Sequence, residues 1–450
     1  MKKTILVAAV LLVAAAFADD TLWVRQYQQG QEAGGYACAT SGSDVYVAGN
    51  VRVSPTPDIL VLKYTSSGDT VWSRTYDIDT METTLDIAVG SDGKPVVLAR
   101  VDADPMRASI VKLNSNGDTA WVRRLTDVFP TNMSIGISDA VYVWGASMES
   151  IPFGGFMLAK YDAAGTFAWK KTIRLGQDHQ PGGCCADRSG NILAVGTALD
   201  SVGPHHYVVK YNANGDTLWA RQYPQMTAQN MLGVTADRNN NVVATAIEGQ
   251  NLKVMKCDSM GTQLWSYASP ENLANDCRNA LATDSNGNIV VPRKLPGEFL
   301  GLLIFTPSGS ISWQTQVQFQ GTPYAVTVGP DNCPVMAGRT SMGVPACITI
   351  KFINGAGIKG QGLAPNRPGT GMCRTSIVGP DARVRLEIPA SGEYSASLYS
   401  ASGERVSSFE PATLTQGVHS LSLAGAPAGA YLLQIAGPAG AELARIVRVR

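Results

Sequence analysis

The sequence predicts an all-β chain: a seven-bladed β-propeller closed by its own N-terminal strand, followed by a small C-terminal β-sandwich. Three observations predict it. Seven of the eight tryptophans recur at near-equal intervals: Trp23, Trp72, Trp121, Trp169, Trp219, Trp265 and Trp313, with gaps of 49, 49, 48, 50, 46 and 48. The text around them repeats, as in Lys63-Tyr64-Thr65-Ser66-Ser67-Gly68-Asp69-Thr70-Val71-Trp72 and Lys210-Tyr211-Asn212-Ala213-Asn214-Gly215-Asp216-Thr217-Leu218-Trp219. Each repeat reads as four short strands, the pattern of a propeller blade.

The elements follow in order. Lys2 and Lys3 precede an apolar run, Ile5 to Ala16, and Ala16-Phe17-Ala18 supplies a small-x-small cleavage pattern. Residues 1–18 are therefore expected to be a signal peptide, with Asp19 as the first mature residue. No later segment is long and apolar enough to span a bilayer. Within a repeat, one hairpin turns at sites such as Ser91-Asp92-Gly93 and Asp187-Arg188-Ser189-Gly190-Asn191, and a second turns at the Asn-Gly-Asp type site before each tryptophan. Glycine or asparagine there supplies the positive φ of a tight turn. The expected blades are 37–76, 83–125, 132–173, 180–223, 230–269, 276–317, and 323–352 completed by 20–27. Asp20 to Tyr27 copies Asp216 to Tyr223 but lacks the rest of a blade, while Cys347 to Phe352 lacks a tryptophan partner and has Gly360 in its place. Joining the two ends completes both and removes an exposed edge.

Lys and Arg together number 36, as do Asp and Glu, so no net field draws nucleic acid or an anionic membrane. The eight cysteines (Cys38, Cys184, Cys185, Cys257, Cys277, Cys333, Cys347, Cys373) are scattered, most in apolar runs where cysteine acts as a small hydrophobe. If any pair bonds, Cys333 and Cys347 fall in one blade. The repeated tryptophan is expected to pack on the next blade. The recurring lysine nine residues earlier (Lys63, Lys112, Lys160, Lys210, Lys256, replaced by Ile304 in the sixth) is expected to lay its stem on a neighbour and its head in water.

The Lys-Tyr-Asn-x-x-Gly-Asp-Thr-x-Trp text resembles the blade repeats of extracellular bacterial propellers, and is similar to the tryptophan-docking repeat of quinoprotein-like propellers, over about residues 20–354. Beyond a Gly/Pro-rich linker at 355–380, residues 381–450 carry Val384 to Pro389, Gly392 to Val406, Gly429-Ala430-Tyr431 and a basic terminal strand. They resemble the C-terminal sorting domain of the type IX secretion system, which implies an immunoglobulin-like fold and a role in export or anchoring. The terminal strand's alternation of Ile446, Arg448 and Arg450 with Arg445, Val447 and Val449 suits a sheet edge.

No catalytic, cofactor-binding or metal-binding residue is assigned. The histidines (His179, His205, His206, His419) lack metal-ligand spacing, and neither a Gly-x-Ser-x-Gly elbow nor a phosphate loop occurs. Adjacent Cys184 and Cys185 resemble the vicinal pair of some quinoprotein dehydrogenases, but they align with Ile87-Ala88 and Val234-Thr235 of sister repeats and read as core. The expectation is a secreted or outer-surface binding or scaffold module, exported through the periplasm, for a protein or glycan, with the secretion machinery as partner of the C-terminal domain. The alternative is a quinoprotein-like or polysaccharide-acting enzyme with its site at the mouth of the central channel. Ionisable groups converging at that mouth would favour the enzyme.

Overall fold

The computed structural model describes residues 20–450 apart from 54–55, 80, 150–153, 224–229, 249–250, 270–278, 354–375, 379–382, 389, 401–404, 424–428, 439 and 449–450. The expected signal peptide, nearly all of the expected linker, Gly360, Cys277 and Cys373 lie outside the described residues. The described residues form two compact units: a larger one over Trp23–Pro330 and Pro334–Lys351, and a smaller one made mainly of Phe352–Arg450. No described helix is long and apolar enough to cross a membrane.

The larger unit contains five four-stranded antiparallel sheets, each built from consecutive strands. Sheet one is Glu32–Ser41, Asp44–Arg52, Asp58–Tyr64 and Thr70–Tyr76. Sheet two is Glu82–Val89, Pro95–Val101, Arg107–Leu113 and Thr119–Thr126. Sheet three is Val128–Ile135, Val141–Ser147, Phe156–Tyr161 and Phe167–Ile173. Sheet four is Asp178–Ala186, Ile192–Leu199, Pro204–Tyr211 and Thr217–Gln222. Sheet five is Asn230–Ala236, Val242–Glu248, Asn251–Cys257 and Gln263–Ser269.

The sixth and seventh repeats share one larger sheet. Its order is Thr21–Tyr27, Cys347–Phe352, Pro334–Thr340, Ile311–Val328, Phe299–Phe305, Ile289–Lys294, Ala282–Thr283. The N-terminal strand thus lies beside Cys347–Phe352. Two separate blades were expected here, and the pairing keeps two sets of partners: residues 311–320 pair with Phe299–Phe305 and residues 321–328 with Pro334–Thr340, while one 18-residue strand, Ile311–Val328, runs through both. Between sheets two and three, Asp127 at φ 58 breaks the strand. No residue in 311–328 takes a positive φ, so the backbone runs on extended.

The apolar faces explain the stacking. Ile59, Val61 and Trp72 of sheet one share a core with Ile87, Val97 and Val111 of sheet two. Sheets two and three, three and four, and four and five share equivalent cores. Burial at about 25 cal/mol per Å² makes these faces the main source of stability. In sheets four and five an aspartate ties the first hairpin: Asp187 Oδ1 accepts from Ser189 N and Asn191 N at 2.9 Å, and Asp237 repeats the pattern with Asn239 and Asn241.

Three of the five recurring lysines depart from expectation. Their heads are not in water: Lys112, Lys210 and Lys256 are 6%, 6% and 3% exposed. Their ammonium groups pair with the hairpin aspartates Asp92, Asp187 and Asp237, each at 2.9 Å. Lys63 pairs likewise with Asp44 at 2.8 Å. Each of the three then reaches a turn carbonyl of the following sheet, Ala163, Ser259 or Pro307. Burial alone would raise the Asp237 carboxyl, but bonds from Lys256 and Asn241 outweigh it and hold it below the ordinary range.

The smaller unit has a five-stranded sheet, ordered Ser376–Val378, Gly440–Arg448, Gly429–Gly437, Gly392–Ser400, Arg405–Leu414, and a two-stranded sheet of Arg383–Ile388 with Gly417–Ser422. Val384, Leu386 and Ile388 of the small sheet share a core with Tyr394, Leu398, Leu433 and Ile435 of the large one. The terminal strand is not an edge, contrary to its sequence pattern. It lies between Gly429–Gly437 and a short parallel strand, Ser376–Val378, whose pairing the residue alternation gives no means of foreseeing.

Candidate functional site

The tryptophan and the turn glycine, read separately in the sequence, form one joint. A Cβ on Gly215 would lie 2.5 Å from the Trp169 ring of the preceding sheet, and one on Gly165 would lie 2.9 Å from Trp121. Both glycines take a left-handed φ, 78 and 79, so the turn and the close approach require the same residue. The indole N–H caps the contact: Trp72 donates to Ser115 O at 3.0 Å and Trp265 to Pro307 O at 3.1 Å. Trp23 of the larger sheet makes this same joint with sheet one, its ring 2.7 Å from a Cβ on Gly68 and its N–H 2.9 Å from Ser66 O. Arg25 adds a bond to Gly68 O at 2.6 Å, just as Arg123 bonds Gly165 O at 2.7 Å. Arg339 and Glu32 form a further link between the larger sheet and sheet one at 2.7 Å.

The first strands carry the second recurring feature. Their register shifts at one equivalent point, between Gly35 and Ala37, Thr84 and Asp86, Pro130 and Asn132, Pro181 and Cys184, Met231 and Val234, and Pro323 and Ala325. Such bulges redirect side chains locally. Next to three of them sits a polar network. Asp86 Oδ2 accepts from Asn132 Nδ2 at 2.9 Å and from Met133 N at 3.0 Å, while Oδ1 accepts from Ile87 N at 2.8 Å. Asn132 Oδ1 accepts from Cys184 N at 2.7 Å. Asn132 also donates to Asn279 Oδ1 at 2.7 Å, and Asn279 donates to Leu85 O at 3.0 Å and accepts from Val326 N at 3.0 Å. Residues from sheets two, three and four and from the last two repeats therefore meet at one place.

Burial pushes the Asp86 carboxyl up to about 7, against the bonds from Met133, Ile87 and Asn279 that favour its charge. Both its oxygens are engaged and the residue is 6% exposed, so the network ties strands together and gives a substrate no access. Sequence reasoning missed it: Asp86, Asn132 and Asn279 share no spacing that marks them as partners.

The residues weighed in the sequence fall into structural roles. His179 Nε2 accepts from Leu175 N at 2.9 Å, and its ring meets Phe156 edge-on. His205 lies between Asp200 at 2.9 Å and Gln222 at 2.8 Å, and His206 Nδ1 is 2.9 Å from Thr197 Oγ1. His419 is in the smaller unit, against Thr415 O. Cys38, Cys184, Cys185, Cys257, Cys333 and Cys347 are thiols, so no Cys333–Cys347 bond and no vicinal disulfide forms. Burial raises Cys184 well above the ordinary thiol range and Cys185 to about 12, which makes both poor nucleophiles. Cys184, Ile87 and Val234 hold equivalent register positions, opposite Ala194, Val97 and Ala244.

Two surface features remain. An open groove of about 540 Å³ lies between the last strand of sheet two and the turn of sheet three, lined by Arg123, Arg124, Tyr161 and Phe167 among others. Its guanidinium groups are already held, Arg123 by Gly165 O and Arg124 by Asp79. The other is a carboxylate cluster, Asp58, Asp77 and Glu82, where sheet one passes into sheet two.

This is an all-β protein of repeated four-stranded antiparallel sheets. No family model matches the chain, and no curated protein matches it. Among solved structures it is similar to a protein of unknown function from Bacteroides caccae, at 12% identity and TM-score 0.41, covering 61% of this chain and 94% of that one. It is also similar to the extracellular domain of a proposed hybrid two-component system from B. thetaiotaomicron, at 12% identity and TM-score 0.46, covering 96% of this chain and 58% of that one. A third similarity is to the Dos1 propeller, at 11% identity and TM-score 0.44, covering 68% of this chain and 74% of that one.

Proposed function

We propose that residues 19–354 form a seven-bladed propeller closed by the N-terminal strand, and that this ring is a binding scaffold whose face loops take a protein or glycan partner outside the cell. The observation that carries the reading is the joint of Trp23 on Gly68, which matches the joints between consecutive sheets. A toroid with such joints at Trp23, Trp72, Trp121, Trp169, Trp219 and Trp265, and with Asp86, Asn132 and Asn279 tying strands from distant repeats, would be rigid at its centre. Its variable parts are then the turns, which is where a scaffold presents a binding surface. Residues 381–450, after a linker at 355–380, are read as an immunoglobulin-like sandwich that serves export or surface attachment.

The test is a screen of the full chain, without its first eighteen residues, against arrayed glycans and purified surface proteins. Saturable binding that survives removal of residues 381–450 supports the scaffold reading. Turnover of a polysaccharide, or of an alcohol in the presence of a quinone, would replace it with the enzyme. Export of a chain lacking residues 381–450, followed by cell fractionation, tests the sorting role separately: normal arrival at the surface or in the medium removes it.

A further inference from the structure

We propose that Asp58, Asp77 and Glu82 form a calcium site that staples sheet one to sheet two. One carboxylate oxygen from each lies within 4.8 Å of the other two. Three ionised carboxylates at that separation repel one another, and a cation bound among them would relieve that repulsion.

Glu82 supplies the independent sign of a ligand. It is 1% exposed. Its Oε1 accepts from Ile78 N at 2.8 Å and from Asp79 N, which fixes the carboxylate. Its Oε2 is buried without any hydrogen-bond partner. A buried carboxylate oxygen left unpaired costs the full desolvation of that atom, so such an atom calls for an unseen partner. The nearby guanidinium groups of Arg107 and Arg124 pair with Asp79 at 2.6 and 2.8 Å, and neither donates a hydrogen bond to Glu82 Oε2.

The backbone prearranges the site. Asp58 opens the third strand of sheet one, Asp77 follows its fourth, and Glu82 opens sheet two. Asn50 Nδ2 donates to both Asp58 O at 3.1 Å and Glu82 O at 3.0 Å, which aligns the two strand starts. An all-oxygen donor set selects a hard cation. Asp58 is half-buried and Asp77 is exposed, so water can complete the shell. Calcium accepts six to eight oxygens in irregular geometry, whereas magnesium requires a near-ideal octahedron, and that difference favours calcium. Sites of this kind in extracellular modules have Kd of about 10⁻⁴–10⁻³ M.

Calorimetric titration of the metal-stripped full chain with calcium chloride tests the site. The expected result is one saturable site with Kd at or below about 10⁻³ M, together with a rise in melting temperature. Asp77→Asn, an exposed position, should weaken binding at least tenfold while leaving the metal-free melting temperature unchanged or higher, since it removes one of the repelling charges. Glu82→Gln should also weaken binding; if it fails to fold, Asp77→Asn alone decides. No saturable heat up to about ten times that Kd, or an Asp77→Asn chain that binds like the parent, overturns the proposal.

Discussion

Sheet five and the sixth repeat carry the same hairpin turn on different supports. In sheet five, Asp237 accepts from Asn239 N, Asn241 N and Asn241 Nδ2 at 2.8 to 2.9 Å. In the sixth repeat, Asp284 accepts from Asn286 N, Asn288 N and Asn288 Nδ2 at 2.7 to 2.8 Å. Sheet five adds Lys256, buried against Asp237 at 2.9 Å. The sixth repeat has Ile304 there, 1% exposed. The Asp–Asn pair therefore makes the turn, and the lysine has another task. Lys256 extends from its aspartate to Pro307 O at 3.2 Å, the carbonyl that also receives the Trp265 N–H. It belongs to the joint between sheets.

If such joints hold the proposed ring together, the joint at Trp23 should matter most. Deleting Thr21–Tyr27 removes Trp23 and uncovers the backbone of Cys347–Phe352 as an edge. A tryptophan of this kind takes about 150–250 Å² out of water, or about 4–6 kcal/mol at about 25 cal/mol per Å². The expected outcome is a large fall in melting temperature with aggregation, read by thermal unfolding and light scattering. A deleted chain that melts like the parent would mean that the ring is not closed by this strand.

The next effect isolates the lysine. Lys256→Ala leaves Asp237 buried with its ion-pair partner gone, and breaking such a pair costs about 3–5 kcal/mol. Lys256→Ile with Asp237→Asn imitates an apolar replacement and should cost much less, because no charge stays buried. Urea unfolding of both variants gives the comparison. Equal losses would show that the lysine acts through its contact with Pro307 O alone.

These two cases mark how far the sequence could be read. The tryptophan period and the turn glycines were plain, and so was the unpaired strand at 20–27, because each is a local text that repeats. What the text does not state is which repeated feature touches which. Trp169 and Gly215 recur on a common period, yet only the stacking of sheets brings the ring onto the glycine. The lysine was misplaced for the same reason: its aspartate belongs to the preceding hairpin, and a nine-residue spacing to tryptophan hides that partner. The two halves of Ile311–Val328 carry their own repeat signals and do pair with different strands, but nothing in the text marks that the backbone runs on between them. Asp58, Asp77 and Glu82 escaped notice because they come from three strand ends.

The smallest effect concerns the network at the strand bulges, where Asp86 differs from the hairpin aspartates in sign. Burial lifts its carboxyl to about 7 in the folded chain, from the 3.8 of an ordinary aspartate. The fold therefore favours the protonated form. Its contribution to stability is complete below about pH 4, declines as pH rises, and is gone above about pH 7. Asp187 and Asp237 are held below the ordinary range, so their contribution is present above about pH 4 and is lost only at lower pH. The two windows do not overlap. Asp58 and Glu82 are raised as well and slope the same way as Asp86, so the parent curve alone does not isolate one residue. The difference between the parent and Asp86→Asn does. Urea unfolding of both from pH 4.5 to 7.5 should show the parent losing about 2–4 kcal/mol relative to the variant as pH rises, since each tenfold change in proton affinity is worth about 1.4 kcal/mol. A difference that stays flat across that range would mean that Asp86 is ionised in the folded chain, with the amides of Asn132 and Asn279 sufficient to carry its charge.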